Sequence, residues 1–212
     1  MLLRRARALL LAAAALAGGC SSTMPNGPIY VRTAGGTEQG VATQFGLVCL
    51  GKTARSGRCD VTVFYGDGPS SEPGQLTPID ANLCGIQIEL RAPTCEVSYF
   101  YPSVDDELVI GLAGEREQVF YDTRLVREPG ATHRPLVEMP SGFPTEPFMI
   151  GAPVYRHEDQ RYRLVGLVTG VTSAGGKQAL ECLWPREMAP LAITAPHREP
   201  WRPSPTRDDI IR

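Results

Sequence analysis

Six cysteines, three histidines and the string Ser141-Gly142-Phe143-Pro144 are the residues of this 212-residue chain best suited to chemistry. A serine hydroxyl attacks a carbonyl only when a base takes its proton and a third group orients the base. Asp122, His133 and His157 are the groups that could supply that pair for Ser141, which defines one reading, a hydrolase built on Ser141 and His157. Against it, a serine in a Pro-rich stretch is first of all a turn residue. His133 follows the turn signal Glu128-Pro129-Gly130, His157 lies in a charged hairpin tip, and His197 falls in a Pro-rich end. No Cys-x-x-Cys pair and no close histidine spacing is present, which argues against a metal site, and no cofactor is expected.

Cys20 carries a clearer message. Arg4, Arg5 and Arg7 precede an unbroken apolar run from Ala8 to Ala17, and the small residues Gly18 and Gly19 lead into the cysteine. This is the three-part layout of an export signal, with an apolar run too short for a helix that crosses a bilayer, which needs about 20 residues. Leu16-Ala17-Gly18-Gly19-Cys20 resembles the lipobox of bacterial lipoproteins. The resemblance implies cleavage before Cys20, a lipid on that cysteine, and, from Ser21 in place of an aspartate, an outer-membrane lipoprotein facing the periplasm or the cell surface. Residues 1–19 are thus expected to be the signal and 20–28 a flexible tether, the latter because small, polar and helix-breaking residues fill it.

Cleavage there leaves 193 of the 212 residues, enough for one domain or two small halves. Removing the three signal arginines from 21 Lys plus Arg leaves 18 against 23 Asp plus Glu, a formal charge near −5. Nothing in that balance suggests nucleic acid. An exported chain can oxidise its remaining cysteines. The shortest loops pair Cys49 with Cys59 and Cys84 with Cys95, leaving Cys182 over, although the sequence leaves open a bridge from Cys182 to one of the others.

Apolar residues recur at period two or in short runs over 45–50, 61–65, 86–90, 108–112, 119–126, 149–155 and 164–171, which predicts strands. Between them lie turn clusters such as Gly66-Asp67-Gly68-Pro69. Many short strands with frequent turns in one chain indicate an all-β barrel or pair of barrels, with a β-sandwich as the alternative. From Ala195 onward four prolines and several arginines predict an extended tail over 195–212.

Met149-Ile150-Gly151-Ala152-Pro153-Val154-Tyr155, then a polar turn, then Leu164-Val165-Gly166-Leu167-Val168-Thr169-Gly170, resembles the second barrel of trypsin-like serine proteases. There the pattern is Ser-Gly-x-Pro-Val, a hairpin, and Val-Gly-Leu-Val. Upstream, Asp106-Glu107-Leu108-Val109-Ile110-Gly111 and Val119-Phe120-Tyr121 resemble the strand pair that opens that barrel. The resemblance implies a double β-barrel over 29–194, with halves near 29–104 and 105–194. It also implies where a Ser-His-Asp triad would stand. Ile150 matches the serine, Asn82 is the nearest match to the aspartate, and Arg58, directly before Cys59, stands where the histidine would be. No histidine precedes His133. All three catalytic side chains are therefore missing from the matching positions.

The expectation is a lipid-anchored envelope protein with a degenerate trypsin-like domain that binds or assembles rather than cleaves. Its expected partners are the membrane, through the lipid, and an envelope protein or peptide in the groove between the barrels. Beside the Ser141 hydrolase, the alternative is a structural lipoprotein of an envelope complex. Cys20→Ala is expected to abolish incorporation of labelled fatty acid and to release the protein from membranes; persistent labelling would show that the lipid sits elsewhere or that none is attached there.

Overall fold

The computed structural model describes residues 24–184, apart from 90, 99, 105 and 129–133. The signal, Cys20, the tail over 195–212, His133 and His197 lie outside the described residues.

Alternating small apolar side chains build the first barrel. β1 (Pro28–Thr33), β2 (Gly36–Thr43), β3 (Gly46–Cys49), β4 (Gly57–Tyr65), β5 (Gly68–Pro78) and β6 (Cys84–Gln87) hydrogen-bond in the order β1-β2-β3-β6-β5-β4, and β4 returns to β1 with Tyr30 opposite Thr62. Because strand side chains alternate between faces, Ile29 and Val31, Cys59, Val61 and Val63, and Cys84 and Ile86 all point into one core. Closure leaves no free edge.

A second set of strands follows: β7 (Glu96–Val97), β8 (Glu107–Ala113), β9 (Gln118–Arg127), β10 (Leu136–Glu138), β11 (Pro153–Glu158), β12 (Arg161–Ala174) and β13 (Lys177–Leu183). Their order is β11-β8-β9-β10-β13-β12, and the β11–β12 hairpin closes the ring, while β7 adds in parallel beside Arg163 and Leu164. The two hairpins flanking β12 turn on two residues each with positive φ, Asp159 and Gln160 before it and Gly175 and Gly176 after it. That geometry matches the right-handed twist of the paired strands. Leu108, Ile110, Val154, Val165, Val168, Leu180 and Trp184 belong to its core.

A third apolar cluster joins the halves: Val41, Val48, Leu50 and Leu83 from the first barrel meet Tyr155, Leu164, Leu167 and Leu183 from the second. Polar contacts centred on Gln39 also run through this seam. Gln39 is 2% exposed; its Nε2 donates to the Ala113 carbonyl (3.0 Å) and its Oε1 accepts from the Ala113 amide (2.8 Å). Charges fasten the outside. Arg156 pairs with Asp106 (3.2 Å) and Glu158 (2.7 Å), and Arg163 with Glu158 (3.0 Å) and Glu96 (3.1 Å), tying the segment between the barrels to the β11–β12 hairpin.

Three expectations need revision. Residues 149–152 form a turn rather than the start of a strand, because Met149 to Gly151 bond backward and sideways instead of along a ladder. The expected tether is already folded at its end, where Gly27 is buried and its carbonyl accepts the Ala42 amide (2.7 Å). The expected bridges between Cys49 and Cys59 and between Cys84 and Cys95 are not formed: Cys49, Cys59, Cys84, Cys95 and Cys182 are all buried free thiols. Spacing in sequence misled here. Cys95 packs in the cluster between the barrels, whereas Cys84 faces the first-barrel core.

Replacing Gln39 with leucine removes both bonds to Ala113 and leaves a buried amide and carbonyl unpaired. At about 1–3 kcal/mol for each group, the variant is expected to lose roughly 2–6 kcal/mol of stability in denaturant unfolding; an unchanged midpoint would show that the seam does not depend on this contact.

Candidate functional site

The turn that enters β11 is the position that the sequence resemblance assigns to a nucleophile. Three successive amides of its backbone are engaged. The Ile150 amide donates to the Pro147 carbonyl (3.1 Å), the Ala152 amide to the Met149 carbonyl (3.0 Å), and the Gly151 amide to the Val168 carbonyl (2.8 Å). The Ile150 carbonyl accepts from the Gln39 amide across the seam (2.8 Å). Pro147 restricts its own φ and so favours a tight turn. Gly151 has φ +85°, and a Cβ there would stand 2.1 Å from the Gln39 carbonyl oxygen, so only glycine fits.

The Ile150 side chain packs against both the second-barrel core and the cluster between the barrels. A hydrocarbon wedge therefore fills the place where a triad would need a hydroxyl. An oxyanion hole also needs backbone N–H groups aimed at the developing charge. The Ile150 amide is instead committed to Pro147.

Across the seam, the loop after β3 is held from inside by a carboxylate. Glu38 is 1% exposed and accepts from the Lys52 amide (3.1 Å) and the Thr53 hydroxyl (3.0 Å). Arg55 continues the clamp by donating to the carbonyls of Asp80 and Ala81, while the Asp80 carboxylate accepts the amides of Asn82 (2.6 Å) and Leu83 (2.8 Å). Asn82 is thus an exposed residue of an Asp-capped turn. Arg58 lies on β4 opposite Gln75, on the wall of a shallow depression of about 800 Å³ shared with Arg32, Asp60 and Glu89. Among the described residues no hydrogen bond or ion pair joins Arg58, Asn82 and Ile150 to one another.

Ser141 is exposed and lines a separate depression of about 580 Å³ with Asp122 and Glu138. His157 sits on β11 with its ring edge-on to Tyr162, centroids 5.0 Å apart. Among the described residues, no hydrogen bond connects Ser141 to a histidine. Thiols offer no substitute nucleophile, since burial raises Cys59 to about 11 and Cys95 to about 12 and keeps both protonated near neutral pH. Among the described residues no group of three or more His, Cys, Asp or Glu side chains could hold a metal ion.

Glu38 and Gln39 were not legible as site residues in the sequence. Gly36-Thr37-Glu38-Gln39-Gly40 reads as a polar stretch, and only the placement of β2 between β1 and β3 buries both side chains, on opposite faces of the strand, Glu38 under the loop after β3 and Gln39 against the second half. The remaining feature near the turn is a strand edge. Over Gly170 to Ala174, β12 is paired with β13 on one side, while its β11 partner ends at Leu167. Beyond the Val168 contacts, among the described residues no backbone bond covers the other side.

No protein-family model and no curated protein matches the chain. Solved structures do. The MamO protease domain of Magnetospirillum magneticum matches at 14% identity over 79% of this chain and 96% of that one, with a TM-score of 0.56. The inactive form of the Rv3671c protease matches at 14% identity over 86% and 95%, with a TM-score of 0.57. A serine protease of a human pathogenic astrovirus matches at 12% over 76% and 91%, with a TM-score of 0.52. The fold is the trypsin-like double barrel. At these identities the likeness speaks for architecture alone.

Ile150→Ser restores a hydroxyl but neither a base nor a free amide beside it. The variant is expected to remain unlabelled by a fluorophosphonate probe; labelling at position 150 would show that a base and an oxyanion site are present after all.

Proposed function

We propose that this chain is a lipid-anchored envelope protein whose trypsin-like double barrel binds an extended peptide segment without cleaving it. The observation that carries the reading is the sealed turn: an apolar side chain at the nucleophile position, with its own amide bonded to Pro147. The lipid anchor rests on the signal layout and Cys20 and is independent of the fold.

Binding falls to the open edge of β12. An extended peptide can add to such an edge through main-chain hydrogen bonds, with alternate side chains supplying selectivity. Val171 and Ser173 are exposed along it, with Thr172 and Ala174 half-buried between them. Phe148, 55% exposed on the sealed turn, offers an apolar contact, and Glu146 approaches Gly170, where a Cβ would stand 3.6 Å from its carboxylate. The edge is thus flanked by one aromatic ring and one acid, which suits a segment carrying an apolar and a basic residue.

The test places a photo-crosslinking amino acid at Val171 of the full chain in its native envelope, with the same residue at Val119 on β9 as control. A crosslinked polypeptide trapped from position 171 and not from 119, uncut after isolation, is expected. Recovery of cleaved peptide, or of equal products from both positions, would overturn the reading.

A further inference from the structure

The first-barrel core contains three thiols, Cys49, Cys59 and Cys84, packed among Ile29, Val61 and Leu76. As small apolar side chains they would simply fill volume. Their placement on the strands distinguishes them. Cys49 ends β3 and Cys84 begins β6, and the two are directly opposite in the antiparallel ladder. Opposite residues in such a ladder have Cα atoms about 4.5 or 5.5 Å apart and side chains on one face. Both values fall inside the roughly 4.4–6.8 Å span of disulfides.

Neither pairing suggested by sequence spacing has that advantage. In the barrel order β1-β2-β3-β6-β5-β4, two strands separate Cys59 on β4 from Cys49 on β3. Cys95 belongs to the cluster between the barrels, where its thiol points to the Ala42 carbonyl (3.4 Å).

We propose that Cys49 and Cys84 are an oxidisable pair that closes to a disulfide inside the first barrel, with Cys59 remaining a thiol. The step needs an acceptor, and a small-molecule disulfide serves. Each cysteine gives up one proton and one electron, the S–S bond forms between the two Sγ atoms, and the acceptor's S–S bond breaks to release two thiols.

The bond would act on the clamped loop. Gly51 follows Cys49 by two residues, and a Cβ there would stand 2.4 Å from the Cys84 sulfur, which already faces the Arg55 carbonyl (3.5 Å). Oxidation therefore fixes the base of the segment that Glu38 and Arg55 hold. Burial raises both thiols above their ordinary range; the Glu38 charge adds to the effect, and at Cys84 the Arg55 charge offsets part of it. The thiolate is the attacking species, so closure is slow in the finished barrel and faster as pH rises or while the barrel folds.

The full chain carrying Cys20→Ser is refolded in a buffer of reduced and oxidised glutathione, then unfolded and alkylated. Digestion must cut after Phe64 and Tyr65, because trypsin leaves Cys59 and Cys84 on one peptide. One linked pair joining Cys49 to Cys84 is expected, with Cys59, Cys95 and Cys182 alkylated. Five alkylated cysteines in refolded protein, or any other linked pair, would overturn the proposal. A second measurement needs no variant at either cysteine. Adding reductant to the oxidised chain is expected to lower its unfolding temperature by roughly 5–10 °C, and an unmoved midpoint would count against a formed bridge.

Discussion

The seam between the barrels turns on Gln39. Its side chain holds Ala113 by both donor and acceptor, its amide holds the Ile150 carbonyl, and its own carbonyl lies where any side chain at position 151 would collide. A buried amide side chain that satisfies both partners of a neighbouring residue is well suited to fixing one arrangement of two bodies, because any slip leaves polar groups unpaired in a low-dielectric interior. The apolar cluster around it supplies most of the attraction, and Gln39 supplies the register. In that register the turn at 147–151 lies directly against Gln39, and Ile150 packs at the junction of two cores.

The same contacts are what the proposed non-catalytic reading rests on. Catalysis by acyl transfer depends on donors and bases held ready but uncommitted. Here the groups in the matching region are committed: the Ile150 amide to Pro147, the Glu38 carboxylate to the loop after β3, and the Asp80 carboxylate to its own turn. Each bond stabilises the fold and removes a functional group from use. Among the described residues, the main chain along the outer edge of β12 stays uncommitted, and the proposed binding rests on that edge.

The sequence made the architecture readable because period-two runs such as Val61-Thr62-Val63 and the Leu164 to Val168 stretch can be buried only in strands. It missed β2 and β5 for the same reason. β5, Gly68-Pro69-Ser70-Ser71-Glu72-Pro73-Gly74, is polar and rich in turn residues, and ladder bonds to β4 rather than its own composition hold it extended. The register that sets Ile150 at the serine position of the resemblance was visible, since a pattern of neighbours marked it. The positions of Arg58 and Asn82 carried no such pattern, and the structure places them on a strand wall and in a capped turn. Cysteine pairing was the least readable feature, because contact across β3 and β6 depends on barrel order, which sequence spacing does not encode.

A sealed, non-catalytic barrel requires the turn at Ile150 to be closed in solution. Amide hydrogen exchange of the full chain, followed residue by residue, measures that directly. The bond to the Pro147 carbonyl requires the Ile150 amide to exchange slowly and to be unmoved by a peptide boronic acid that mimics an acyl-transfer intermediate. Exchange at the rate of an open loop, or a shift of that amide on adding the boronic acid, would reveal an available oxyanion site and contradict the closed turn.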